Sequence, residues 1–204
     1  MTLTNAYLTS DEAIRYVGQN DVVDPDDLED VVTAVSRMID QHCQRHFWQT
    51  ASIGRTFDVS APMFRFQFGG FNDLVSIASL KFDTTGDGTF DTTVTNYILD
   101  APPTGPEVRP FQSLSLLSGT SFPSASTGRT RLVEVSGVWG WPAVPLPVKQ
   151  ACRIQLGRIF KRVDSPTGTL GFGDFGVARV PSKLDPDVAE MLGPYRHVGA
   201  FGIA

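Results

Sequence analysis

Apolar residues along the first fifty positions recur with a helical period. After Thr9, Ser10, Asp11 and Glu12, the run AIRYVG reads as a helix of about two turns, with Ser10 as its cap, acidic residues in its first turn and Gly18 as its stop. The next segment opens on Asp24, Pro25 and further acidic residues. Leu28, Val31, Val32, Val35, Met38, Ile39, Cys43 and Phe47 then follow at spacings of three and four. That stripe predicts a helix of about 22 residues, roughly 33 Å long.

From Ser52 the period becomes two. GRTFDVS, MFRFQFG, LVSIASLKF, TVTNYIL and TRLVEVSGVWGW alternate apolar with polar residues, and the clusters APPTGP and SGTSFPSASTGR separate them. About five or six antiparallel strands are expected. The prolines of GWPAVPLP end the ladder and hand over to a helix starting near Leu146, with Pro147 suited to its first turn. Val148, Ala151, Cys152, Leu156, Ile159, Phe160 and Val163 form its apolar stripe. Beyond Val163, DSPTGTLGFGDFGVARVPSKL is rich in glycine and proline and has little periodicity, so it reads as a long loop or arm. A short helix from Pro186 to Leu192, stopped by Gly193 and Pro194, closes the pattern.

The expected fold class is therefore α+β. A helical hub, made of a short N-terminal helix and two long packed helices, would carry an inserted antiparallel β domain and an extended C-terminal arm ending in a short helix. The expected division is 1–51 for the N-terminal helical part, 52–141 for the β domain, 142–163 for the second hub helix, and 164–204 for the arm and terminal helix.

Composition narrows the function classes. A chain of 204 residues buries roughly 70% of its extended surface and needs no disulfide or metal for stability. Its two cysteines, Cys43 and Cys152, both fall on helical stripes, which implies buried thiols in a reducing compartment. The first residues show no basic region followed by an apolar core, so no secretory signal is expected. No apolar run approaches the roughly 18 residues of a membrane span, so no membrane association is expected. A net charge of −5 argues against a general nucleic-acid binder.

Several motifs invite chemistry. KFDTTGDGTFDTT places Asp83, Asp87 and Asp91 near glycines. Counted as an EF-hand from Asp83, however, position 12 is Val94, where a bidentate glutamate is required. The flanks read as strands, and Asp87-Gly88 predicts a hairpin tip with a two-residue type I′ turn. GFGDFG, Gly171 to Gly176, matches a dinucleotide fingerprint but lacks the strand before it and the helix after it. His42 and His46 have the i, i+4 spacing of zinc-binding helices without the general-base glutamate. No catalytic constellation, cofactor site or metal site is expected. Lys149, Arg153, Arg158, Lys161 and Arg162 give the third long helix a basic face with no acidic residue among them. That face suits solvent, an acidic partner surface or nucleic-acid phosphates. In the arm, Leu170, Phe172, Phe175 and Val177 are apolar residues that a partner would cover. Arg179 and Lys183, with Tyr195 and Arg196 of the PYRH tail, would complete a docking surface for that partner.

Taken in order, YLTSDEAIRYVG, DDLEDVVTAVSRMIDQHCQRHF, FDTTGDGTFDTTVTNYILDAPP, VSGVWGWPAVPLPVKQACRIQLGRIFKR and DPDVAEMLGPYRH resemble the head-to-tail adaptor (connector) proteins of long-tailed bacteriophages, particularly those of actinobacterial hosts. The resemblance implies a non-enzymatic structural virion protein, assembled in the host cytoplasm and placed at the head-tail junction. It further implies a homo-oligomeric, twelvefold ring below the portal protein, in contact with the next tail-side connector or stopper, with DNA passing non-specifically through the channel. Two other classes fit the residues. One is a calcium-assisted β adhesion or carbohydrate-binding module using Asp83, Asp87 and Asp91. The other is a helical nucleic-acid-binding regulator using the basic helix.

Overall fold

The structure, a computed structural model, describes residues 5–17, 25–58, 64–100, 107–123, 131–163, 169–171, 177–179 and 184–197, with backbone alone for 25, 161–163, 169–171 and 177–179. The chain is a mixed α+β protein. Its elements run α1 (Ser10–Val17), α2 (Pro25–Cys43), β1 (Ile53–Asp58), β2 (Arg65–Gln67), β3 (Leu74–Phe82), β4 (Thr92–Val94), β5 (Tyr97–Leu99), β6 (Ser113–Leu116), β7 (Arg131–Trp139), α3 (Leu146–Val163), β8 (Thr169–Gly171), β9 (Val177–Arg179) and α4 (Pro186–Leu192).

The expected helical hub is corrected by this architecture. Among the described residues the protein is sheet-rich, with seven antiparallel strands in two sheets beside four helices, and a hub of two long packed helices is not what organises it. One reason lies at the end of α2. The stripe that predicted a helix to Phe47 continues in sequence, but the helix stops at Cys43 and Gln44 turns left-handed with φ 54°. Residues 45–47 thereby leave the helix, and the Phe47 ring packs tilted against Trp141, centroids 5.2 Å apart. The extended arm is corrected as well, because β8 and β9 pair as an antiparallel hairpin.

The chain divides into two compact units, Met1–Gln44 with Val144–Arg196, and Arg45–Ala143 with His197–Ala204. In the first, helical unit, Leu28, Val32, Val35, Ile39 and Cys43 of α2 and Val148, Ala151, Cys152 and Leu156 of α3 are buried. Ser36 Oγ lies 4.0 Å from Cys152 Sγ. Neither cysteine forms a disulfide, and both are buried.

The second unit holds the sheets, ordered β1-β7-β3-β4 and β2-β6-β5. Their core is aromatic. Phe57, Phe66, Phe68, Phe82, Phe122 and Trp139 are buried with Leu74, Leu80, Leu114 and Val135, each large side chain contributing about 1.5–3 kcal/mol by leaving water. Two strand assignments differ from the sequence pattern. TVTNYIL forms two strands in different sheets, β4 and β5, because Asn96 breaks the run; its carbonyl accepts from Leu117 N and its amide donates to Ser118 O. β6, in the Ser-Leu alternation SLSL, supplies the centre of the second sheet and had not been anticipated.

Candidate functional site: a cationic hollow beside the first helix

Thr9, not Ser10, caps α1. Thr9 Oγ1 accepts from Glu12 N at 3.2 Å, and Glu12 Oε2 accepts from Thr9 N at 3.0 Å. This reciprocal capping box satisfies two orphan donors and pins the Glu12 carboxylate in place. Ser10 instead opens the helix and donates to Glu29 Oε1 at 2.7 Å. The other oxygen of Glu12 meets two cations of α3, Arg153 Nη2 at 3.2 Å and Lys149 Nζ at 3.9 Å. The Thr9 amide, with Lys149 and Arg153 beside it, holds the Glu12 carboxyl below its ordinary range.

Two hollows flank Glu12. One, of about 560 Å³, is lined by the segment from Asn5 to Ser10 together with Glu29, Val144 and Lys149. The other, of about 360 Å³, is lined by Glu12, Arg15, Tyr16, Gln150 and Arg153. Tyr16 is 43% exposed, yet its ring lies on Gly157 so closely that a Cβ there would stand 3.0 Å from Cε1. Arg15 is exposed and donates to Asp11 O at 3.2 Å.

The predicted basic face is thus partly neutralised. Lys149 and Arg153 share Glu12, and Arg158 pairs with Asp185, the N-cap of α4. The side chains of Lys161 and Arg162 lie outside the described residues, as do those of Leu170, Val177 and Arg179. Phe172, Phe175 and Lys183 lie outside them entirely, with all of Gly171 to Gly176 but its first glycine. Tyr195 is buried at 6% exposure, and Arg196 is exposed beside it.

The loop between β3 and β4 is organised by Asp83. This residue is fully buried, and its carboxylate accepts from Gly86 N at 2.6 Å, Gly88 N at 2.8 Å and Thr85 Oγ1 at 3.3 Å. The turn is not the predicted two-residue type I′. It spans residues 83–91, with positive φ at Gly86 and Gly88 and not at Asp87. Three donors aimed at Asp83 commit its carboxylate to its own loop. His42 stays on α2, whereas His46 lies beyond its end against Trp48 and Phe71, so the pair does not share a helix face. Among the described residues no group of three or more His, Cys, Asp or Glu side chains could hold a metal ion.

Sequence reasoning also missed a buried ion pair. Arg45 Nη1 reaches both oxygens of Asp73, at 2.7 and 2.9 Å, and Trp141 Nε1 donates to Asp73 Oδ2 at 2.9 Å. Gln112, with its amide oxygen toward Arg45, accepts from the same guanidinium. Burial pushes the Asp73 carboxyl up, against the pull of Arg45. Asp73 sits in GGFND and reads as an ordinary turn aspartate, so only tertiary packing reveals its partner. No protein-family model matches the chain, and no curated protein matches it.

Proposed function

We propose that this chain is a structural component of a long-tailed bacteriophage virion, a head-to-tail adaptor rather than an enzyme. In this reading it assembles in the host cytoplasm into a ring between the portal and the next tail-side protein, and DNA passes through the ring. The observation that carries the reading is the ordered set of segments that resembles the adaptors. DDLEDVVTAVSRMIDQHC lies in α2, VSGVWGWPAVPLPVKQA runs from β7 into α3, and DPDVAEMLGPY forms α4 and the turn after it.

The most specific of these segments has a physical basis in Gly140. Its φ is 106°, and a Cβ there would overlap the Trp48 carbonyl, so only glycine fits between the two tryptophans. A second support is the chain's organisation, with helices from both ends sharing one unit and the sheet-bearing stretch intervening in sequence. The two alternatives draw less support. The carboxylate of Asp83 is committed to its own loop, and three cations of the basic helix already face carboxylates.

The test is attachment. The purified protein, mixed with portal-bearing heads and viewed by negative stain, should add a ring at the portal vertex. Removing residues 165–182, which include Leu170, Phe172, Phe175, Val177 and Arg179, should abolish attachment while leaving a folded subunit. Heads that never bind the intact protein, across buffers and salts, would overturn the proposal.

A further inference from the structure

The hollow of about 360 Å³ beside α1 carries one more cation than carboxylate in its lining. Two guanidiniums, Arg15 and Arg153, line it against one carboxylate, Glu12; Arg153 pairs with Glu12, which Lys149 also approaches from outside the hollow, and Arg15 donates to the backbone carbonyl of Asp11. The hollow also presents the exposed ring of Tyr16, fixed against Gly157. An aromatic held rigid beside arginines is the composition of a protein-docking surface rather than of a solvated face.

The same unit offers the complement. In the first turns of α2, Asp26, Asp27 and Asp30 are all exposed and lie three and four positions apart, so they share one side of the helix. No residue of α2 lines the hollow. Two different surfaces of opposite charge on one chain make a heterologous contact, in which each copy uses one surface toward one neighbour and the other toward the next. Such contacts close into rings when the rotation between copies permits.

We infer that the hollow formed by Arg15, Tyr16, Gln150 and Arg153 receives the acidic first turns of α2 from a second copy of this chain. Tyr16 supplies the area that leaves water, and the arginines fix register and speed encounter. The inference rests on the adaptor reading for its ring, but it names a contact that can fail by itself.

The test is a charge exchange on the full chain. Arg15→Glu forms one variant and Asp27→Lys with Asp30→Lys the other, and all these positions are exposed. Sedimentation velocity should show wild-type self-association weakened by about tenfold or more in either variant alone. An equimolar mixture of the two should restore it, because alternating copies recover opposite charges at every contact. Arg15→Gln should give a smaller loss, and helical circular dichroism should be unchanged in every variant.

Three outcomes would overturn the inference. One is self-association insensitive to both reversals. Another is a wild-type chain that stays monomeric alone yet still attaches to heads, which leaves the adaptor reading standing. The third is capture of duplex DNA by the wild type that Arg15→Glu abolishes, which assigns the hollow to phosphates instead.

Discussion

Removing the carboxylate of Asp73 should be among the most damaging single changes in the sheet-bearing unit. The side chains of Arg45 and Asp73 are 7% and 3% exposed. Burial raises the Asp73 carboxyl despite its cationic partner, so desolvation outweighs attraction and the intact pair adds little net stability. Its disruption is another matter. Asp73→Ala strands a guanidinium in the core, which costs about 3–5 kcal/mol, and the Trp141 indole loses its acceptor for about 1 kcal/mol more. Arg45→Met should cost a comparable amount by isolating the carboxylate. The double variant should cost less than the sum of the two by about 2 kcal/mol or more, because neither charge is then left alone. Urea unfolding followed by tryptophan fluorescence reads this directly, since Trp48, Trp139 and Trp141 are the only three tryptophans and all fall within Arg45–Ala143. A loss near 4 kcal/mol moves the midpoint by about 2 M. Single-variant losses that add in the double variant to within about 0.5 kcal/mol would refute the reasoning.

Other expectations follow from single groups. Asp83→Ala should destabilise the β3–β4 loop by about 1 kcal/mol or more, since the part-buried bonds from the Gly86 and Gly88 amides are lost, while Asp91→Ala should be nearly silent and a chelator without effect on melting. Cys43 and Cys152 should resist alkylation in the native protein; burial pushes the Cys152 thiol up to about 12, so mass spectrometry after brief iodoacetamide treatment should find both unmodified. Asp40, bonded by the Tyr7 hydroxyl and 3.0 Å from Arg37 Nε, is raised by burial to about 6. The native state therefore binds the extra proton between about pH 4 and 6, so stability from this group is highest at the acid end and is lost as pH rises through 6, by at most about 3 kcal/mol. Asp40→Asn should flatten that slope in denaturation measured from about pH 4 to 7.

Helix starts were legible in the sequence, and helix ends less so. Pro25 and the acidic turn after it mark the beginning of α2 correctly, but nothing near Gln44 announces a stop, because Phe47 falls on the same stripe as Cys43. Glutamine at positive φ is rare, and a period cannot foresee it. The buried thiols were legible because both sit on apolar stripes. Of the cationic hollow, Arg153 and Lys149 were visible as a basic run, but Glu12 was read only as a first-turn acid. Its capping role was legible from Thr9-x-x-Glu12; its reach to α3, about 140 residues further along, was not. The Asp83 loop was misjudged because Asp-Gly outweighed the spacing of the glycines that its carboxylate would serve.

The Ser36 and Cys152 contact, across 116 positions, bears on how the chain is made. A ribosome releases the segments in order at about 5–20 residues per second, so α1 and α2 emerge several seconds before the helix that covers their apolar stripe. During that interval the stretch 45–143 can condense, since its strands pair with one another. The first helices must wait, with Val32, Val35 and Ile39 exposed to whatever the cell supplies. Vectorial synthesis therefore imposes an order in which the middle of the polypeptide folds first and its beginning last.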